Sequence, residues 1–183
     1  MTQAGHWFVA VPVAVIAATA PAPAHAERYL SVAEAQKHFF PSARQFVERP
    51  LDLSEAQRKA IGKIAGTKPP KRQPLFEARG SGGRQGWMFV DRVLGKHEYI
   101  TYAVALSPEG QVRGVEILDY RETYGGEIRR PDWRKQFVGR RPGQSLKLGK
   151  EIKNISGATL SSRHVTDGVR RLLVTFDKLV ARD

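Results

Sequence analysis

The chain has 183 residues, a size that fits one domain with an added segment and a core of its own. Hydrophobic residues at 41% and charged residues at 26% are near globular averages, while 30 Lys and Arg against 18 Asp and Glu give a formal charge of +12. There is no cysteine, which excludes disulfides, thiolate zinc sites, iron–sulfur clusters and c-type haem attachment.

The first 26 residues contain no Lys, Arg, Asp or Glu, and Phe8 to Ala20 is an apolar run broken only by Pro12 and Thr19. With the small-x-small site Ala24-His25-Ala26 behind it, this segment is expected to be a signal peptide, residues 1–26, cleaved before Glu27. An uncleaved anchor is the rival reading, although the run falls short of the roughly 20 apolar residues of a spanning helix. No Cys follows the site, so a lipid-anchored lipoprotein is not expected. The expected location is periplasmic or otherwise extracytoplasmic, free or membrane-associated. All the charge then belongs to the exported part. Such a cationic chain favours anionic partners: a membrane surface, an acidic redox protein or an acidic small molecule. Nucleic acid is not expected, since neither zinc-ligand spacing nor a recognition motif is present.

Ser31-Val32-Ala33-Glu34 matches a capping box and opens a helix that should stop before Pro41. A second box at Ser54-Glu55-Ala56-Gln57 opens a helix running towards Gly66, with Leu53, Ala56, Ala60, Ile61 and Ile64 at helical spacing. Thr67 to Pro74 breaks the periodicity and reads as a basic connector, so residues 27–74 form an N-terminal helical segment with connector. From Leu75 to Tyr120 the pattern is that of strands. Trp87 to Val90 and Val93-Leu94 follow a glycine-rich turn, Tyr99 to Leu106 is aromatic and β-branched, and the turn Ser107 to Gly110 precedes Val112 to Leu118. The glycine-rich turn, Gly80 to Gly86, has no GKS or GKT ending and leads into a strand, which argues against a phosphate-binding P-loop. Tyr120 to Arg130 is a loop by its glycines, and Pro131 to Phe137 a short helical turn with Asp132 available as its cap. Val165, Val169, Leu172, Leu173, Phe176, Leu179 and Val180 form the apolar stripe of a final helix. The expected fold class is α+β: an antiparallel meander with helices before and after it, packed on one face, and a long C-terminal helix covering the sheet.

Candidate chemistry is sparse. His38, His97 and His164 lie singly in the sequence, with no spacing that puts two on one helical face, so no metal site is expected. Glu122 and Glu127 lie on a glycine loop beside Arg121, Arg129 and Arg130, where ion pairing or loop fixing is more natural than paired catalysis. No catalytic residue is expected, and no Rossmann fingerprint supports a stand-alone flavin reductase.

The remaining feature is Asn154-Ile155-Ser156-Gly157-Ala158-Thr159-Leu160-Ser161-Ser162, just before the last helix. Thr159, Ser161 or Ser162 would serve as its cap. A helix start also offers free N–H groups and the positive end of the dipole to a phosphate, and Gly157 lets it come close. Ser156-Gly157-Ala158-Thr159 resembles the flavinylation motif of FMN-binding domains, as in the G subunit of the Rnf complex and the C subunit of the sodium-pumping NADH:quinone oxidoreductase. Glu122 to Glu127 sits where that family has a Glu-Thr-Pro-Gly loop, and Trp133 to Phe137 resembles its aromatic-x-x-x-Phe turn. Tyr124 replaces the family's common proline, and Lys153 the Asp three residues before the motif's serine. The resemblance covers roughly residues 75–180 and implies an FMN-binding domain at 75–183.

It further implies that FMN is carried as a phosphoester on Thr159, placed there from FAD by a separate flavin transferase. Ser156, Gly157, Ala158, Leu160 and Ser161 would shape the site, with Glu122 and Thr123 from the upstream loop and His97 the histidine nearest the cofactor. Cationic groups such as Arg129, Arg130 or Arg134, if near the ring, would stabilise the reduced anionic flavin. The implied function is an exported flavoprotein electron carrier, closer to an electron-transfer subunit than to an enzyme, exchanging electrons with a membrane complex or a cytochrome. The alternative is an exported basic module that holds flavin non-covalently or docks on a membrane redox complex.

Overall fold

The computed structural model describes residues 27–181; the expected signal peptide at 1–26 lies outside them. In chain order the elements are β1 (Glu27–Arg28), α1 (Val32–Phe39), β2 (Gln45–Glu48), β3 (Leu51–Asp52), α2 (Glu55–Ala65), β4 (Arg72–Gln73), β5 (Leu75–Gly80), β6 (Gly83–Leu94), β7 (Tyr99–Leu106), β8 (Val112–Tyr120), α3 (Pro131–Arg134) flanked by 3₁₀ turns, and α4 (Thr159–Leu179). The fold is α+β. One antiparallel sheet has the order β1-β8-β7-β6-β5-β2, in which β5 to β8 are the meander and β1 and β2 are added edges. A small second sheet pairs β3 with β4.

Both capping boxes are formed: Ser31 and Glu34 bond reciprocally at α1, Ser54 and Gln57 at α2. Gly66 ends α2 in the left-handed conformation that favours glycine. Asp132 does not cap α3. The cap position is Arg130, without a side-chain bond, and Pro131 takes the first helical position, which places Asp132 inside the helix, where it pairs with Arg130.

The helices do not share one face of the sheet. α4 and its neighbours bury one face with Phe89, Tyr102, Val104 and Leu106, whereas α1 and Phe40 bury the other with Met88, Ala103 and Ala105. The central strands are apolar on both sides, as a covered sheet requires, and this explains why β7 reads as a continuous run instead of an alternation. The small residues on the α1 face let that short helix lie close.

The position of α4 is fixed by polar contacts inside an apolar contact. Arg171 of α4 donates from Nη2 to Asp91 Oδ2 at 2.6 Å, and Tyr102 donates its hydroxyl to the same oxygen at 2.5 Å. Burial, reinforced by the Asp91 charge, pushes the Tyr102 phenol well above its ordinary range, so it stays a donor. Gly168 faces the Tyr102 ring and hydroxyl, where a Cβ would collide. α2 packs on α4 in turn: Leu53, Ile61 and Ala65 meet Val174 and Leu179, and Arg170 Nε donates to Ala65 O at 2.9 Å.

Glu77 of β5 is buried among arginines, at 2.9 Å from Arg79 Nη2 and Arg84 Nε and 3.4 Å from Arg49 Nε. The bond from Arg79, with that from Arg84, outweighs burial and lowers its pKa to about 2. The folded chain therefore binds this proton less readily than the unfolded chain. The contribution is complete above about pH 4.5 and is lost as pH falls towards 2. Glu77→Gln is expected to flatten the stability profile in that window, as read by thermal melts against pH. Arg171→Met is expected to cost about 3–5 kcal/mol in urea unfolding, because it strands the Asp91 carboxylate in the core.

Candidate functional site

α4 begins at Thr159, six residues before the first apolar residue of its stripe, and no side-chain hydroxyl caps it. The cap position is Ala158, which makes no side-chain hydrogen bond. Thr159, Leu160 and Ser161 are the first three helical residues, whose amides have no acceptor inside the helix. Gly157, with φ +82°, turns the chain into the helix and has open space where a Cβ would stand.

These residues form one wall of a cavity of ≈ 440 Å³. Gly157, Ala158, Thr159, Leu160 and Ser161 face Glu122, Thr123 and Tyr124 of the loop after β8, and Lys96 and His97 from the turn between β6 and β7 complete it. The structure thus brings seven of the eight expected site residues together. Ser156 is exposed and is not among the lining residues.

Asn154 controls the threonine. Its Nδ2 donates to Thr159 Oγ1 at 3.1 Å, and its Oδ1 lies 3.1 Å from Ser162 Oγ as acceptor. With Asn154 occupying a lone pair of Thr159, the hydroxyl proton is free to point elsewhere. Neighbouring Lys153 is held by its backbone: its carbonyl accepts from Trp133 Nε1 and its amide donates to Gln136 Oε1, both at 2.8 Å. Trp133 packs edge-on against Phe137 at 5.2 Å, so the aromatic turn anchors the segment leading into the motif.

The opposite wall is tied to the same helix. Tyr120 donates to Tyr124 O at 2.5 Å and lies 3.5 Å from Ser161 Oγ. Burial pushes its phenol up, and the charges of Glu122 and Glu127 add to that. A Cβ on Gly125, which has φ +88°, would press on this hydroxyl and on Ala158, so two small residues set the closeness of the walls.

Glu122 fixes the β6–β7 turn, through backbone amides instead of the adjacent arginines: Oε1 accepts from His97 N at 2.6 Å and Glu98 N at 3.1 Å. Burial works to raise its pKa, but those bonds and the Lys96 amide bring it below the usual carboxylate range.

Arg129, Arg130 and Arg134 are each held by other partners. Arg129 stacks on Tyr29, Arg130 pairs with Asp132, and Arg134 is held by Glu116 and Val115 O on β8. None lines the cavity; Lys96 is the cation that does. His164 points its Nδ1 at Leu94 O, and no group among the described residues has three metal-binding side chains together. Lys96, Tyr120 and Asn154 escaped sequence reading. Asn154 alone had a signal, its place beside the motif.

An uncapped helix start, a left-handed glycine and open space above it suit a phosphate, and the cavity volume is that of a small-molecule site. The residues present fit FMN: the amides of Thr159 to Ser161 would face its phosphate, with Lys96 as the nearby cation.

Comparison with known proteins agrees. The FMN-binding domain model matches residues 95–174, which include every residue lining the cavity. The G subunit of the ion-translocating oxidoreductase complex of Stutzerimonas stutzeri is 30% identical over 110 residues, covering 54% of this chain and 48% of that protein. The chain thus spans about half the length of this curated relative. The crystal structure of Shewanella oneidensis NqrC has the same fold, with a TM-score of 0.51 at 16% identity, covering 77% of this chain and 84% of that one. Residues 95–174 thus match an FMN-binding domain, and FMN is the cofactor that this match and the residues of the cavity support.

Proposed function

We propose that the chain is an exported electron carrier whose FMN is joined through a phosphoester to Thr159 Oγ1. The observation that carries this reading is the Thr159 hydroxyl, placed at the free N-terminus of α4, on the cavity wall and held by Asn154. The attachment replaces the hydroxyl proton by a bond to phosphorus; FAD supplies the FMN unit, AMP is the leaving group, and a separate flavin transferase performs the exchange. When bound, FMN supplies reversible redox chemistry. The first-turn amides of α4 would hold its phosphate, the Glu122 loop would bound it, and Lys96 would be the nearby cation for an anionic cofactor.

Export rests on residues 1–26, and it gives the covalent link a purpose, since a tethered cofactor is not lost by dilution. No helix among the described residues is long and apolar enough to cross a membrane. The carrier then meets its electron donor and acceptor, a membrane redox complex or a cytochrome, through the cationic surface.

Coexpression with a flavin transferase is expected to give a fluorescent band in a denaturing gel, retained in Thr159→Ser and lost in Thr159→Ala. A non-covalent carrier would show no fluorescent band and would release yellow flavin on acid precipitation. Asn154→Ala is expected to slow labelling roughly threefold to tenfold, as loss of one orienting hydrogen bond allows, with unchanged circular dichroism. A time course of gel fluorescence measures it.

A further inference from the structure

A second cavity, of ≈ 470 Å³, lies across the β6–β7 turn from the flavin site. Arg58, Lys68, Arg72, Arg92, Arg171 and Tyr99 line it. Four of these five cations meet three carboxylates: Glu55 pairs with Arg58 and Lys68, Asp52 with Arg72, and Asp91 with Arg171. Positive charge is left over. Glu55 and Asp52 are exposed, so those pairs are weak and yield their cations readily to another anion.

One cation stands apart. Arg92 makes no ion pair among the described residues and lies over the Tyr99 ring, 4.3 Å from its centre. Arg171 is 8% exposed and its Nε has no hydrogen-bond partner among them. Tyr99, which lines the cavity, is 50% exposed, and Leu94, its partner on β6, is 48% exposed.

A small anion would use the charges and leave the apolar pair idle. A protein surface uses both, since interfaces concentrate Tyr and Arg at their centres within a charged rim. The position decides which protein. Leu94 and Tyr99 are paired at the end of β6 and β7, and the turn between them carries Lys96 and His97, which line the flavin cavity. A partner seated on Tyr99 therefore stands against the cofactor's own wall.

We propose that this groove and the adjoining turn are the docking surface for an acidic redox partner protein. The proposal rests on the electron-carrier reading for the partner's role, though not for its binding. The surplus charge steers the partner in, at rates that fall with salt, and Tyr99 with its stacked Arg92 anchors it.

Isotope-labelled chain titrated with succinylated cytochrome c, an acidic probe, and with unmodified, basic cytochrome c tests this by NMR. The acidic form is expected to bind in low salt, shifting the amides of Lys68, Arg92, Tyr99 and Thr101, and to bind at least tenfold more weakly to Arg92→Glu/Lys68→Glu. Tyr99→Ala, which leaves every charge in place, is also expected to weaken it. Shifts centred elsewhere, equal binding of the two probes, or an undiminished affinity of the double variant would overturn the proposal. So would citrate alone reproducing the same shifts at the same affinity, which would mark a small-anion site. Thr159→Ala chain, free of covalent flavin, is expected to bind the acidic probe as well as the parent, so failure of attachment and failure of docking are read separately.

Discussion

The pair between Asp91 and Arg171 joins strand to helix, and the geometry of both cavities follows from it. An ion pair in an apolar core is a poor source of stability, because desolvation offsets most of the attraction. What it supplies is register. α4 can slide or rotate on a purely apolar face with little change in buried area, but one carboxylate oxygen that takes both Arg171 and the Tyr102 hydroxyl allows a single placement. Gly168 has the complementary role, since any side chain there would lift the helix off Tyr102.

From that placement the first turn of α4 comes to face the loop after β8. The walls of the flavin cavity are held by contacts that are short in space and long in sequence: Tyr120 with Ser161, Gly125 with Ala158, Glu122 with the turn at 97 and 98. The elements that are hardest to deform carry the elements that would touch the cofactor. The Trp133 anchor on Lys153 O extends this to the segment before the motif. Whatever the Lys153 side chain does, its backbone is fixed from two directions.

The local chemistry was legible in the sequence. Two capping boxes and Gly66 set α1 and α2, the strand pattern set the meander, and the order of loop, aromatic turn and Ser156-Gly157-Ala158-Thr159 pointed to one cavity. What was not legible depended on distance in the chain. That α1 covers the face opposite α4 is decided by which strand residues are small, Ala103 and Ala105 against Tyr102 and Val104, and this has no local signal. Arg129, Arg130 and Arg134, on the loop and turn before the motif, are drawn away by Tyr29, Asp132 and Glu116, whereas Lys96 arrives from a turn some sixty residues before the motif. The added strand β2 was hidden because its four residues carry too short a pattern to read.

The alanine at the cap of α4 carries a further meaning. A Ser or Asp there would stabilise the helix by about 1 kcal/mol, and the chain does without it at the longest helix among the described residues. The first-turn amides are kept open, and a phosphate at that place returns what the missing cap withholds. On the proposed attachment, maturation and stability become one event: the immature chain is the looser form at its helix end, more open to proteolysis there, and the cofactor acts as the cap that the sequence omits.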